Sequence, residues 1–134
     1  MSVCRVCEGD DGRGYRYFFY ESDNPHTGYK YIGNTKSGQD TGGSILCIDG
    51  EYVFVCGSCF DRRADYRVYR LGDFSEYKSM KFNYDDGGFR GWGTVIPVKQ
   101  GTRTRYYWLT FDRHKGSDYN WSYGNLYCFE GYDF

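Results

Sequence analysis

Two Cys-x-x-Cys pairs are the residues of this chain whose spacing most directly indicates chemistry. Cys4 and Cys7 form the first pair, and Cys56 and Cys59 form the second. Two residues between a pair of thiolates let both sulfurs point from a tight turn at one ion, and two such turns complete a tetrahedral four-sulfur site. We therefore predict one structural zinc ion held by these four cysteines. The alternatives are disulfide bonds, or a redox dithiol at the second pair.

Apolar and aromatic runs separated by turn residues predict that most of the chain forms β-strands. The clearest hairpin joins residues 44–48 to residues 51–56 through Asp49-Gly50, because both central positions of such a turn need positive φ. The other predicted strands are 14–20, 28–33, 78–84, 93–99, 104–112 and 125–130. The alternative for residues 73–82 is a short helix with Asp73 and Glu76 as its cap, and the alternation of residues 78–84 favours the strand. The strands after residue 72 predict an antiparallel β-meander.

A single helix is predicted at about residues 59–71. Ser58 is a good N-cap and Gly72 is a natural stop. Apolar residues recur on one helical face at Phe60, Ala64, Val68 and Leu71. The predicted fold class is therefore a β-rich α+β domain.

The cysteine pairs, the hairpin and the helix together resemble the treble-clef zinc finger. In that family the second ligand pair lies at the start of the helix, where Cys56 and Cys59 would lie here. The resemblance covers residues 4–71, and the 48 residues between the pairs would require an insertion. It implies a zinc-binding half at residues 1–72, followed by a β-meander half at residues 73–134.

Length and composition favour one folded domain. The chain has 134 residues, and its 16 Tyr and 3 Trp supply apolar area that its few aliphatic residues lack. No apolar run is long enough to cross a membrane. Residues 1–5 lack the apolar stretch of a signal peptide, so we expect a cytoplasmic protein whose cysteines are reduced.

Few residues suggest catalysis, and we predict that the protein is not an enzyme. His26 lies in Asp-Asn-Pro-His-Thr-Gly between the cysteine pairs, an arrangement that resembles phage-type HNH endonucleases, although that family usually shows two histidines there. The alternative is an exposed loop histidine. His114 lies beside Asp112 without a nucleophile motif. Cys47 and Cys128 lie in apolar strands, where we expect buried small side chains.

Arginine and tyrosine cluster on one face of the predicted helix, and these residues most often anchor interfaces. The predicted partner-binding residues are Arg62, Arg63, Tyr66, Arg67, Tyr69 and Arg70. Residues 62–115 carry 12 Lys/Arg against 6 Asp/Glu, a net charge of +6 within a chain of net charge −1. A second basic-aromatic run follows at residues 103–108. Strand alternation would place Arg103, Arg105 and Tyr107 on one side and Tyr106 and Trp108 on the other.

These features predict a binding module that acts on a macromolecule rather than on a small molecule or a membrane. A protein partner is favoured, because an overall charge of −1 argues against strong nonspecific binding to nucleic acid. Nucleic acid is the alternative partner, and an HNH-like endonuclease is the further alternative. Small, tyrosine-rich proteins stabilised by zinc are similar to accessory regulators and inhibitors, including those of phages.

Overall fold

The computed structural model describes residues 3–10, 15–36, 40–48, 50–59, 66–81, 90–112 and 126–132. In these residues all regular secondary structure is β-strand. The ten strands of these residues are β1 (Val3–Asp10), β2 (Tyr15–Ser22), β3 (Lys30–Asn34), β4 (Asp40–Ile48), β5 (Glu51–Cys59), β6 (Tyr66–Arg70), β7 (Glu76–Met80), β8 (Arg90–Gln100), β9 (Arg103–Asp112) and β10 (Leu126–Gly131).

The strands form three antiparallel sheets, and each sheet pairs strands that follow one another in the chain. The first sheet has the order β1-β2-β3, the central sheet β4-β5-β6-β7, and the third sheet β8-β9-β10. Tight turns set the register of two hairpins. Gly50 has φ 81° between β4 and β5, and Gly101 has φ 62° between β8 and β9.

The central sheet is buried on both faces, which makes the fold a three-layer arrangement. On one face Phe54, Cys56 and Tyr69 join a core cluster with Tyr17 and Phe19 of the first sheet. On the other face, residues of the central sheet pack against Val95 and Trp108 of the third sheet. The central-sheet residues of that second cluster are Leu46, Val53, Val55, Tyr66 and Val68.

The prediction of a helix at about residues 59–71 was wrong. Cys59 ends β5 and residues 66–70 form β6, while residues 60–65 lie outside the described residues. A strand that is covered on both faces is apolar without alternation. Of the four residues that carried the helical spacing, Val68 is buried in β6, Leu71 follows that strand, and Phe60 and Ala64 lie outside the described residues, so the spacing does not mark one helical face. The α+β class is corrected to an all-strand fold for the described residues.

The treble-clef prediction fails with the helix. Cys4 and Cys7 both lie in β1, which pairs with β2 in unbroken register from Val3 to Asp10. The second pair lies in β5. A zinc knuckle needs a tight turn between its two cysteines, whereas the backbone through each pair is extended.

The hairpins of the sequence prediction are confirmed. Ile48 pairs with Glu51 across the predicted Asp49-Gly50 turn. In β9, Trp108 is buried and Tyr106 packs against the second core cluster, whereas Arg103 is exposed. This matches the alternation expected for residues 103–108.

Phe74 holds the connection between β6 and β7 against the first sheet. Its φ is 57°, in the left-handed region that a bulky residue rarely adopts. Its ring stacks on Phe19 with centroids 5.1 Å apart. The ring also covers Gly33, where a Cβ atom would overlap its side chain. The turn is therefore fixed by packing rather than by its own backbone preference.

Gly33→Ala should lower the free energy of unfolding by roughly 1–3 kcal/mol, because the added methyl group must displace the Phe74 ring. Urea unfolding followed by circular dichroism measures this change. Gly72→Ala is the matched control, since a Cβ atom there meets nothing within 4 Å, and we expect it to change stability by less than about 0.5 kcal/mol. Equal stability of the two variants would contradict the packing described here.

Burial raises the pKa of Tyr66 to about 12, above the value of about 10 for an unfolded tyrosine. Between these pH values the unfolded chain loses the phenolic proton while the folded chain keeps it. The contribution of Tyr66 to stability is therefore complete below about pH 10 and is lost as the pH rises towards about 12. Urea unfolding from pH 9 to 11.5 should show a shallower decline for Tyr66→Phe than for the exposed control Tyr52→Phe. Identical pH slopes would contradict the burial of the Tyr66 hydroxyl.

Candidate functional site

The fold brings one cysteine of each pair to the same core cluster. Cys56 is 0% exposed within the cluster of Phe54 and Tyr69, and Cys4 packs against that cluster from the first sheet. The side chains of Cys7 and Cys59 lie outside the described part of the structure. The described residues contain no group of three or more His, Cys, Asp or Glu side chains that could hold a metal ion. The four-cysteine zinc site stays a prediction.

Burial, and then the charge of Glu21, raise the pKa of Cys4 above its ordinary value. Zinc coordination requires a thiolate. A bound zinc ion would itself stabilise the thiolate, so it is the extended backbone of β1, and not the pKa of Cys4, that does not fit a zinc knuckle at the first pair.

Cys47 and Cys128 were predicted to be buried, and this prediction was wrong, because both are exposed. Cys47 lies in β4 opposite Tyr52, and Cys128 lies in β10 opposite Leu109.

Alkylation at pH 8 should label Cys47 and Cys128 first, Cys4 more slowly, and Cys56 only on unfolding. The order follows exposure, and the raised pKa of Cys4 lowers its thiolate fraction, so its rate should increase steeply with pH. Peptide mass spectrometry after timed alkylation measures the order. Rapid labelling of Cys56 in the folded protein would contradict its placement in the core.

Timed alkylation also tests the zinc prediction when it is combined with a measurement of metal content on protein purified without chelator. A zinc site would give one zinc per chain, chelator-dependent protection of Cys4 and Cys56, and loss of the metal in Cys4→Ser. Alkylation rates unchanged by chelator and by added zinc would instead exclude these two thiols as ligands.

The described members of the predicted partner-binding set do not share one exposed face. Tyr66, Arg67 and Tyr69 are buried in β6. Arg62 and Arg63 lie outside the described residues. Arg67 is 4% exposed, and its Nε lies 3.6 Å from Glu76 Oε2. Its burial makes this arginine a structural residue of the central sheet.

Arg70 is the one described member of the predicted set that reaches the surface. Its Nη1 donates to both carboxylate oxygens of Glu51 at 3.1 Å. The guanidinium carbon also lies 4.4 Å from the centroid of the Tyr77 ring. The position of Arg70 is therefore set by an ion pair and a cation–π contact together.

The outer face of the third sheet carries a second group of stacked side chains, which we call the Arg/Tyr ladder: Arg103, Arg105, Tyr107 and Tyr132. The guanidinium carbon of Arg103 lies 3.8 Å from the centroid of the Tyr132 ring, and that of Arg105 lies 5.5 Å from the same centroid. The guanidinium carbon of Arg105 also lies 5.6 Å from the centroid of the Tyr107 ring, and the guanidinium forms an ion pair with Glu130. The Tyr132 hydroxyl donates to Gln100 Oε1 at 3.2 Å. These contacts order long side chains that would otherwise be mobile on the surface.

Two exposed aliphatic residues adjoin the ladder. Ile96 is 42% exposed and pairs with Tyr107, and Val98 is 38% exposed and pairs with Arg105. Directly opposite residues of an antiparallel pair share one face of the sheet. The outer face therefore presents apolar, aromatic and cationic groups side by side.

The sequence predicted part of this face. Alternation placed Arg103, Arg105 and Tyr107 together, and the hairpin turn at 101–102 would have added Ile96 and Val98 through its register. Tyr132 was missed because residues 113–125 separate β9 from β10, and a connection of this length does not determine how the two strands pair.

His26 lies in the exposed turn between β2 and β3. Its backbone N–H donates to Asn24 Oδ1 at 2.8 Å, and the Ser22 hydroxyl donates to the Thr27 carbonyl oxygen at 2.5 Å. These are the local hydrogen bonds of a polar turn. His114 lies outside the described residues, so the HNH-like alternative rests on the sequence alone.

Comparison of the chain with protein-family models, with curated proteins and with solved structures found no match. The described part of the chain also contains no helix with the length and hydrophobicity needed to cross a membrane.

Proposed function

We propose that this protein is a non-catalytic binding module that engages a protein partner through the Arg/Tyr ladder and the neighbouring Ile96 and Val98. A single observation carries the proposal: the outer face of the third sheet holds Arg and Tyr side chains that are already stacked on one another beside exposed aliphatic residues. Its role would be that of an accessory regulator or inhibitor, which acts by occupying a surface of its partner.

The chemistry of the ladder suits protein recognition. Arg and Tyr are enriched among residues that dominate binding energy, and each buries a large area while keeping a polar tip. Ordering a mobile side chain at an interface opposes binding by about 0.5–1.5 kcal/mol. The cation–π contacts of Arg103 and Arg105 order these side chains before a partner arrives, which reduces that opposing free energy.

The charges of the ladder favour a partner with acidic groups. Glu130 partly neutralises Arg105, whereas Arg103 has no carboxylate partner among the described residues. An aspartate or glutamate of the partner could pair with Arg103 while its own apolar residues cover Ile96 and Val98. The thiols of Cys4, Cys47 and Cys128, which are not in disulfides, support action in the reducing cytoplasm.

Arg103→Ala combined with Tyr107→Ala should weaken partner binding by about tenfold or more, because both residues lie in the stacked face. The measurement is affinity capture from nuclease-treated extract of the source cells, quantified by mass spectrometry, followed by titration of the enriched protein. The matched control is Lys30→Ala with Tyr31→Ala, which removes one cation and one exposed tyrosine from the first sheet. Equal loss of binding in both double variants would contradict the ladder as the binding surface.

Single-stranded nucleic acid is the second candidate partner, since arginine and tyrosine on a sheet face also bind phosphates and stack on bases. Fluorescence anisotropy with a labelled single-stranded oligonucleotide separates the two candidates. Nucleic acid as the main partner would give tight binding that weakens steeply with salt and is lost in Arg103→Ala. We expect only weak binding, because the Tyr132 ring is already covered by arginine.

A further inference from the structure

A cleft of about 560 Å³ lies where the first sheet meets the turns of the central sheet, apart from the Arg/Tyr ladder. The first sheet, the turn before β5 and the turn after β6 contribute its walls. The lining residues are Cys4, Glu21, Ile32, Gly50, Glu51, Tyr52, Arg70, Leu71, Gly72 and Asp73. A volume of this size falls within the range of about 300–1,000 Å³ that is typical of ligand pockets.

The lining combines apolar walls with an excess of negative charge. Three carboxylates and one guanidinium line the cleft, a net charge of −2. The guanidinium of Arg70 is already engaged by Glu51 and by the Tyr77 ring. With Arg70 and Glu51 counted as one neutral ion pair, Glu21 and Asp73 are the remaining negative groups of the lining.

The carboxylate of Asp73 is held in place and stays ionised. The backbone N–H and the hydroxyl of Ser75 both donate to Asp73 Oδ1, at 3.0 and 2.6 Å. These hydrogen bonds, with Arg70 nearby, hold the pKa of Asp73 below its ordinary value. The adjacent Phe74 locks the turn against Phe19. The negative group is thus preorganised at one side of the cleft.

We propose that this cleft binds the side chain of a basic residue, arginine or lysine, of a partner protein. The methylene stem would pack against Leu71 and Ile32, and the charged head would reach the carboxylates. Exposed Tyr52 and Ile32 at the rim, 53% and 41% accessible, offer apolar surface to the main chain that carries the side chain. This assignment goes beyond the ladder and does not depend on it.

The first test is a titration of the ¹⁵N-labelled full chain with the blocked peptide acetyl-Gly-Arg-Gly-amide, followed by amide chemical shifts. Shifts should concentrate at residues 32 and 70–73. The same peptide with citrulline, a neutral analogue of arginine, should bind at least about tenfold more weakly, because it lacks the charge that the carboxylates attract. Equal affinity for the two peptides, or no shifts at these residues, would overturn the proposal.

Variants locate the attraction at named carboxylates. Asp73→Asn preserves the side-chain oxygen that accepts from Ser75, and it should weaken binding of the arginine peptide about fivefold or more without changing binding of the citrulline peptide. Glu21→Gln should act in the same direction. Asp23→Asn, an exposed carboxylate outside the cleft lining, is the matched control and should have no effect. An equal effect of all three variants would mean general electrostatics rather than a site.

A final comparison distinguishes a protein side chain from a free small cation. n-Propylguanidinium carries the same charged head and stem without peptide groups. The arginine peptide should bind at least about fivefold more tightly, through contacts at the Tyr52 rim. Equal affinities would assign the cleft to a small cation and overturn the assignment to a partner protein.

Discussion

Burial of the central sheet on both faces is the constraint on which the rest of the structure depends. Residues on both faces of β5 and of β6 lie in core clusters, so each of these strands needs a flanking sheet on either side. Aromatic residues fill much of this double core, which explains how a chain with few aliphatic residues folds. Arg67 is the exception within the core. Its guanidinium is tolerated because it reaches Glu76 at the neighbouring strand.

The same constraint decides which surfaces are left for recognition. One face of the third sheet, which carries Val95 and Trp108, covers the central sheet. Its other face is not needed for the core, so Ile96, Val98 and the ladder stay accessible without loss of packing. On the opposite side, the cleft lies between the first sheet and the turns before β5 and after β6. Both proposed binding surfaces therefore follow from how the layers overlap.

Local signals in the sequence predicted the hairpins, because turn residues act through their own backbone geometry. Asp49-Gly50 and the turn at Gly101 each set a register without help from distant residues. The helix was wrong because its evidence, an apolar spacing, depends on what covers the segment, and that is decided by the flanking sheets. The exposure of Cys47 was missed for the same reason. The sequence predicted only the members of the ladder that lie in β9, because Tyr132 is distant from them in the chain and contacts them only in the folded structure.

The overall charge of −1 conceals two local surfaces of opposite sign. The ladder presents Arg103 and Arg105 with one carboxylate at Glu130, whereas the cleft has a net charge of −2. A nucleic-acid backbone would be attracted to the first surface and repelled by the second. A protein, whose surface mixes acidic and basic side chains, can satisfy both at once. The two proposed surfaces together are better matched by the proposed protein partner than by nucleic acid, on grounds that the net charge alone does not supply.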